Sequence, residues 1–235
     1  MRIKLIFLIL ATIGLSFLSL SSSVTVLMPA IQHNTALKTP PEKPDPSKFY
    51  LFYLHGKIVE GSGGNPKNPD YGTYEYFNIV NSFSKEGFVT ISEIRGKNTD
   101  VDQYSTKTTK WIESLLNAGV PPSHITVVGA SKGGMIVTKV SNQLKNKEIK
   151  YVFLAGLFSN LLKRKPMKLW GEILSIYDKS DTSQVSAESL LKASKRVTKI
   201  KNVITQTGKG HGLIFKPYPV WMKEVVAWSG IKNSK

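Results

Sequence analysis

Ser131 lies at the centre of the pentapeptide Gly-Ala-Ser-Lys-Gly, which spans residues 129–133. An apolar run of strand type precedes this pentapeptide, and an apolar segment with helical spacing follows it. In such a G-x-S-x-G turn the serine is held in a strained backbone conformation, and the glycines allow strand and helix to pack closely. The pattern predicts a nucleophilic serine. A glycine-rich turn without chemistry is the alternative, whereas a phosphate loop would require G-x-x-x-x-G-K-[ST].

A nucleophilic serine needs a base and an acid that orients the base, and on a scaffold of this kind the acid and then the histidine follow the serine. His211 is the one histidine after Ser131, and it lies in a glycine-rich loop. Asp178 and Asp181 follow the apolar run before that loop. We expect Asp181 to be the acid because it lies farther beyond the run and has more reach. Asp178 is the alternative acid, and otherwise it shapes the turn.

Two backbone N–H groups complete the predicted site as an oxyanion hole. The residue after the nucleophile, Lys132, supplies one N–H group, and Lys57 supplies the other from the loop that begins at His55. A donor of this kind contributes about 3 kcal/mol to stabilisation of the transition state, and we expect His55 itself to brace the loop. These groups predict attack of Ser131 on an acyl carbonyl, followed by hydrolysis of the acyl-enzyme.

Strand-like and helix-like segments alternate along the chain from residue 49. Short apolar runs without polar alternation predict strands buried on both faces, at Phe49–Leu54, Phe88–Ile94, Ile125–Val128, Tyr151–Ala155, Glu172–Tyr177 and Asn202–Gln206. Helical spacing predicts helices at Tyr74–Lys85, Asp102–Ala118, Gly133–Lys145, Ala187–Ser194 and Pro219–Trp228. The alternation predicts an α/β fold, with a mostly parallel sheet of about six strands and helices on both faces. In such sheets functional residues collect at the carboxyl ends of the strands.

These residues and motifs resemble the α/β-hydrolase superfamily over residues 49–228. Within it the chain is similar to small bacterial esterase-like serine hydrolases, through Tyr-Leu-His-Gly-Lys-Ile-Val-Glu from Tyr53, Ser-Glu-Ile-Arg ending at Arg95, and Gly-Ala-Ser-Lys-Gly-Gly from Gly129. The resemblance implies the α/β-hydrolase fold and serine chemistry but no particular substrate. The chain is too short for the first two strands of the full superfamily fold, and residues 157–171 leave room for a minimal cap.

Composition excludes several other kinds of site. The formal net charge is +16, but all except four of the 32 basic residues are lysines scattered along the chain, so we expect no nucleic-acid partner. The absence of cysteine excludes disulfides and thiolate ligands, and the four histidines lack metal-ligand spacing. We therefore expect neither a metal nor a cofactor. The lysines favour peripheral contact with an anionic membrane.

The N-terminal segment has the pattern of an export signal. Arg2 and Lys4 precede an uncharged run from Leu5 to Met28, and the run becomes small and polar at residues 19–23. We expect residues 1–23 to be a cleaved signal peptide, with an uncleaved membrane anchor as the alternative. Residues 24–48 are rich in proline toward their end and predict a linker, and residues 49–235 predict the hydrolase domain. The protein is accordingly expected in the periplasm or secreted.

The function expected from the sequence is hydrolysis of a carboxylic ester or related acyl bond in a small molecule. Lys57 and Arg95 suggest positive charge near the site and an anionic acyl group. Two alternatives remain open: a noncatalytic protein on the same fold, and a basic protein that binds surfaces of the cell envelope. The sequence does not determine the oligomeric state.

Overall fold

The computed structural model describes residues 35–160, 168–191 and 196–231. Within these residues six parallel strands form one sheet, namely β1 (Tyr50–Leu54), β4 (Val89–Ile91), β5 (Ile125–Ala130), β6 (Lys150–Leu154), β7 (Gly171–Asp178) and β8 (Val197–Thr205). Their order in the sheet is β4-β1-β5-β6-β7-β8. A separate antiparallel hairpin pairs β2 (Lys67–Asn68) with β3 (Gly72–Thr73). The predicted mostly parallel sheet of about six strands is confirmed.

Helices cover both faces of the sheet because its strands are apolar on both sides. Leu51 and Tyr53 pack on the face covered by α1 (Tyr76–Lys85) and α5 (Pro219–Ser229). The alternate β1 residues Tyr50, Phe52 and Leu54 pack on the opposite face, with α2 (Val101–Asn117), α3 (Lys132–Leu144) and the short α4 (Ala187–Leu191). Side chains alternate in direction along a strand, so a continuous apolar run supplies both cores.

Most element bounds differ from the predicted ones by a few residues, and two differences are larger. Strand β8 begins at Val197, five residues before the predicted strand, because its polar side chains face solvent along the sheet edge and hide the strand pattern. The β2–β3 hairpin is absent from the sequence prediction because strands of two residues carry no periodicity. Residues 192–194 of the predicted fourth helix lie outside the described residues.

The segment before the sheet lies along the β4 edge. The backbone of Leu37 donates to the carbonyl of Thr90 at 2.9 Å and accepts from the N–H of Ser92 at 2.8 Å, and Ala36 is buried. These bonds satisfy edge groups of β4 that would otherwise face solvent. The predicted signal peptide or anchor and the first part of the predicted linker lie outside the described residues. Over the described ranges, no helix is long and apolar enough to cross a membrane.

Candidate active site

The predicted catalytic residues meet at the carboxyl edge of the sheet. Ser131 directly follows β5, Asp181 lies three residues after the end of β7, and His211 lies in a 3-10 turn, Gly210–Phe215, that follows β8. Because all six strands run parallel, residues beyond their carboxyl ends lie on one edge. Side chains separated by up to 80 positions in the sequence are therefore neighbours.

Three of these side chains form a continuous hydrogen-bonded series. The hydroxyl of Ser131 lies 3.0 Å from Nε2 of His211. On the other side of the ring, Nδ1 of His211 lies 2.7 Å from Oδ2 of Asp181. A carboxylate accepts only, so Nδ1 carries a proton and Nε2 is free to accept the serine proton. The arrangement can remove a proton from Ser131 and return it to a leaving group.

Ser131 has the strained backbone that the sequence motif predicts. Its dihedral angles are φ 50° and ψ −117°, a conformation that costs a side-chain-bearing residue about 1–3 kcal/mol. The surrounding packing fixes it: a β-carbon at Gly129 would lie 2.5 Å from the backbone of Gly133, and one at Gly133 would lie 1.9 Å from the carbonyl oxygen of Leu54. Only glycine fits at these positions, so strand and helix hold the serine at the tip of the turn.

Asp181 is buried and its two carboxylate oxygens have separate partners. Oδ2 accepts from His211, while Oδ1 accepts from the hydroxyl of Ser183 at 2.6 Å and from its backbone N–H at 3.3 Å. Burial raises the pKa of Asp181, but the hydrogen bonds from His211 and Ser183 outweigh burial and the resulting pKa is below its ordinary value. Asp181 is thus ionised at neutral pH and fixed in orientation.

Asp178, the alternative acid of the sequence analysis, is directed away from the imidazole into a different network. Its carboxylate accepts five hydrogen bonds from the hydroxyl of Thr205 and from the backbone and hydroxyl groups of Ser180 and Thr207. Burial raises the pKa of Asp178, and these donors overcome that effect and hold the pKa well below its ordinary value. Asp178 therefore joins the loops after β7 and β8, which carry Asp181 and His211.

The two predicted backbone donors belong to residues close to Ser131, one along the chain and one in space. Lys132 is the first residue of α3, where backbone N–H groups have no partner within the helix. Gly56 lies close to Ser131, since a β-carbon at Gly56 would lie 3.3 Å from Cβ of Ser131 and 4.0 Å from its Oγ. Lys57 follows Gly56 and begins a 3-10 turn. The structure thus brings Gly56, and with it the start of the loop that carries Lys57, beside Ser131.

His55 fixes the orientation of that peptide. The backbone N–H of Arg95 donates to Nε2 of His55 at 2.9 Å, so Nδ1 carries the proton and donates to the carbonyl of Gly56 at 2.8 Å. In a planar trans peptide the N–H points opposite to the C=O, so holding this carbonyl also directs the N–H of Lys57. Burial and the nearby Arg95 lower the pKa of His55 to about 3, so the ring is neutral.

Arg95 does not offer its positive charge to an anionic acyl group, as its position after a strand had suggested. Arg95 is 2% exposed, and its guanidinium donates to the carbonyl of His55 and pairs with Glu60 at 3.3 Å. Its third nitrogen, Nη1, makes no hydrogen bond to the described residues, and the guanidinium carbon lies 5.3 Å from the centroid of the Tyr104 ring. Arg95 therefore stabilises the loop that begins at His55. Lys57 is exposed.

A cavity of about 410 Å³ opens beside His211. The rings of Tyr71 and Phe158 lie on its walls, with centroids 6.4 Å and 6.3 Å from that of the imidazole. Asp181 and His211 also line it, and hydroxyl-bearing and small residues form the rest, namely Ser180, Thr182, Ser183 and Gly210. The lining contains no lysine or arginine from the described part of the chain. Neither there nor elsewhere in residues 35–160, 168–191 and 196–231 do three histidine, aspartate or glutamate side chains cluster as metal ligands would.

Comparison with solved structures identifies the fold. An α/β-hydrolase enzyme from a Medee basin deep-sea metagenome library is similar with a TM-score of 0.54, at 14% identity over 83% of this chain and 88% of that one. A protein described as a YdeN-like hydrolase, from Pectobacterium atrosepticum, has a TM-score of 0.50, with 13% identity over 78% and 91% of the two chains. An α/β-hydrolase family protein from Desulfitobacterium hafniense also has a TM-score of 0.50, with 10% identity over 78% and 96%.

The chain therefore has the α/β-hydrolase fold, as the sequence motifs imply. At these identities the likeness establishes the fold alone, and the chemistry must be argued from the chain's own residues. No protein-family model and no curated protein matches the sequence.

Sequence reasoning missed three side chains at this site. Glu60 bridges Arg95 and Lys132, while Tyr71 and Phe158 flank the imidazole. Glu60 is the last residue of the octapeptide from Tyr53 that carries the family resemblance, and this position in the motif could have indicated a role at the site. Tyr71 lies in the β2–β3 turn and Phe158 follows β6, and no periodic pattern marks either residue.

Proposed function

We propose that the protein is a serine hydrolase that cleaves a carboxylic ester or related acyl bond, with Ser131, His211 and Asp181 as its catalytic triad. The observation that supports this most directly is the pair of distances around one imidazole: 3.0 Å to the serine hydroxyl and 2.7 Å to the aspartate. The strained turn at Ser131 adds to it, because strain of this kind persists where surrounding packing imposes it and is concentrated at active sites.

In the proposed mechanism His211 takes the hydroxyl proton of Ser131 as the serine oxygen attacks the acyl carbonyl. The Lys57 and Lys132 N–H groups then donate to the oxyanion that forms. His211, held in its tautomer by Asp181, gives the proton to the leaving alcohol, and the acyl group stays on Ser131. Water attacks this ester by the same route and releases the carboxylic acid.

We propose a neutral substrate in place of the anionic acyl group that the sequence suggested. The cavity beside His211 combines two aromatic walls with hydroxyl groups, and no cation from the described residues lines it. Aromatic walls favour an apolar or ring-bearing group, and hydroxyls can bond to its polar atoms. Arg95, a buried cation that contacts the loop beginning at His55, is already paired with Glu60. A short neutral ester therefore fits this geometry best.

A direct test is hydrolysis of p-nitrophenyl acetate and butyrate by the purified protein and by Ser131→Ala. We expect activity in the wild type and its loss in Ser131→Ala. Ser114→Ala is the matched control, because Ser114 is an exposed serine whose hydroxyl donates to the carbonyl of Trp111 in the same helix. Folded wild-type protein that cleaves no ester, thioester or amide from a broad panel would favour the noncatalytic alternative.

Export and membrane contact are further proposals that rest on sequence alone. We propose that residues 1–23 direct the chain out of the cytoplasm and that its lysines attract it to anionic membranes. Binding to vesicles containing phosphatidylglycerol should then weaken as salt is raised, and should be the same in Ser131→Ala. Salt-independent binding, or no binding at low salt, would contradict the proposed membrane contact, and the proposed hydrolase activity does not depend on this result.

A further inference from the structure

A single buried carboxylate connects the two segments that supply the proposed oxyanion donors. Glu60 lies three residues after Lys57, and its side chain is 2% exposed. Oε1 of Glu60 lies 2.7 Å from Nζ of Lys132 and 3.3 Å from Nε of Arg95, and Oε2 lies 3.0 Å from the same Nζ. Lys132 also donates to the carbonyl of Thr99 at 2.7 Å.

Two series of contacts lead from Glu60 to the two proposed N–H donors. On one side, Arg95 holds the His55 ring and the His55 carbonyl, and the ring holds the Gly56 carbonyl, whose peptide carries the Lys57 N–H. On the other side, the Lys132 side chain extends from the residue whose backbone N–H is the second donor. Glu60 is in contact with both side chains.

We propose that Glu60 is a positioning residue of the active site, which holds the Lys57 and Lys132 N–H groups at a fixed separation through its ion pairs with Arg95 and Lys132. The proposal rests on the proposed hydrolase function. Glu60 makes no hydrogen bond or ion pair with Ser131 or His211, so it acts through Arg95 and Lys132 on the backbone next to them. Lys132 consequently has two roles, one for its N–H and one for its ammonium group.

The burial of Arg95 explains why Glu60 must carry a charge to connect Arg95 with Lys132. Arg95 has a side chain that is 0% exposed, so its charge has lost most contact with water and needs a carboxylate partner. A neutral amide in place of Glu60 would leave that charge uncompensated and would release the ammonium group of Lys132. Both loops could then shift, and an oxyanion donor that moves by about 1 Å loses much of its effect.

The test compares Glu60→Gln with Glu224→Gln, which removes the same charge from an exposed ion pair with Lys201. Lys132→Met and Lys132→Arg examine the other partner, and Lys132→Met serves if Glu60→Gln does not fold. Each variant is measured for kcat and KM on p-nitrophenyl acetate and for inhibition by phenylboronic acid. The boronate forms a tetrahedral adduct with the serine, so its affinity reports on the oxyanion donors.

We expect Glu60→Gln and Lys132→Met to lower kcat by about 10- to 100-fold and to weaken boronate inhibition to a similar extent, with KM changed by less than about threefold. Lys132→Arg should recover most of the activity, and Glu224→Gln should behave as wild type. A variant whose only defect is a smaller folded fraction would show a lower apparent kcat, but its folded molecules would keep the wild-type affinity for the boronate. That result, or full activity in both variants, would overturn the role of Glu60. A folded wild-type protein that neither cleaves the ester nor binds the boronate would instead refute the proposed hydrolase function, on which the role of Glu60 rests.

Discussion

The neutral, buried ring of His55 makes a quantitative prediction about stability and pH. Burial and Arg95 lower its pKa from 6.5 to about 3 in the folded chain, whereas the unfolded chain has the ordinary value. Between these two values the unfolded state binds more protons, so the free energy of unfolding rises with pH across that window and levels off above 6.5. Acidification therefore destabilises the fold through this one residue.

The size of the effect follows from linkage. Lowering the pH from 7 to 5 should remove about 2 kcal/mol of the free energy of unfolding through His55 alone, because one pKa unit corresponds to about 1.4 kcal/mol. Any folded-state pKa below about 4 gives the same figure, since the imidazole is then neutral at pH 5. The physical causes are that a protonated ring would be a buried charge without water around it, and that it would lose the hydrogen bond from Arg95 and lie as a second cation beside it.

The assay is urea unfolding followed by tryptophan fluorescence at pH 7 and pH 5, in wild type and His55→Asn. The asparagine amide can still donate to the Gly56 carbonyl but cannot titrate. We expect wild type to lose about 2 kcal/mol more than the variant between the two pH values. His124→Asn removes a histidine from a less buried position and should keep the wild-type response. Equal losses in wild type and His55→Asn would refute the reasoning.

Four further predictions concern the site and the residues that support it. Asp181→Asn should lower kcat by about 10⁴-fold in ester hydrolysis, because asparagine cannot favour the required imidazole tautomer. Asp178→Asn should chiefly lower the free energy of unfolding, since five hydrogen bonds to the carboxylate are disturbed. Gly133→Ala should cost more than about 3 kcal/mol in urea unfolding, whereas Gly63→Ala, with nothing within 4 Å, should cost less than about 0.5 kcal/mol. Phe158→Ala should raise KM several-fold more for phenyl acetate than for ethyl acetate.

Opposite results would be equally informative. A larger loss of kcat in Asp178→Asn than in Asp181→Asn would reverse the assignment of the acid. If Gly133→Ala were as stable as Gly63→Ala, the close approach of strand and helix would be wrong. If Phe158→Ala changed KM equally for both esters, the aromatic walls of the cavity beside His211 would not bind a ring-bearing group of the substrate.

The fold could be predicted because its strands and helices carry clear local patterns. Apolar runs such as β1 and β5 lie in the centre of a parallel sheet, where both faces are buried, and the sequence shows this directly. The hairpin β2–β3 and the first half of β8 could not be predicted, because a two-residue strand and a solvated edge strand lack that pattern.

The residues of the proposed triad could be found for a related reason. Ser131, Asp181 and His211 each follow a strand that is visible in the sequence, and parallel strands bring their carboxyl ends together. Arg95 was misplaced because a position after a strand end does not tell whether a side chain points to the substrate or into the domain. Glu60 was missed because its partners, Arg95 and Lys132, lie 35 and 72 residues away.

The measurement that tests the central claim most directly is covalent labelling with a fluorophosphonate, read by intact-protein and peptide mass spectrometry. We predict one adduct per chain, located on Ser131, formed by the wild type and absent from Ser131→Ala. His211→Ala should react far more slowly, because no base then removes the serine proton. Folded wild-type protein that acquires no adduct, or an adduct on a residue other than Ser131, would contradict the account.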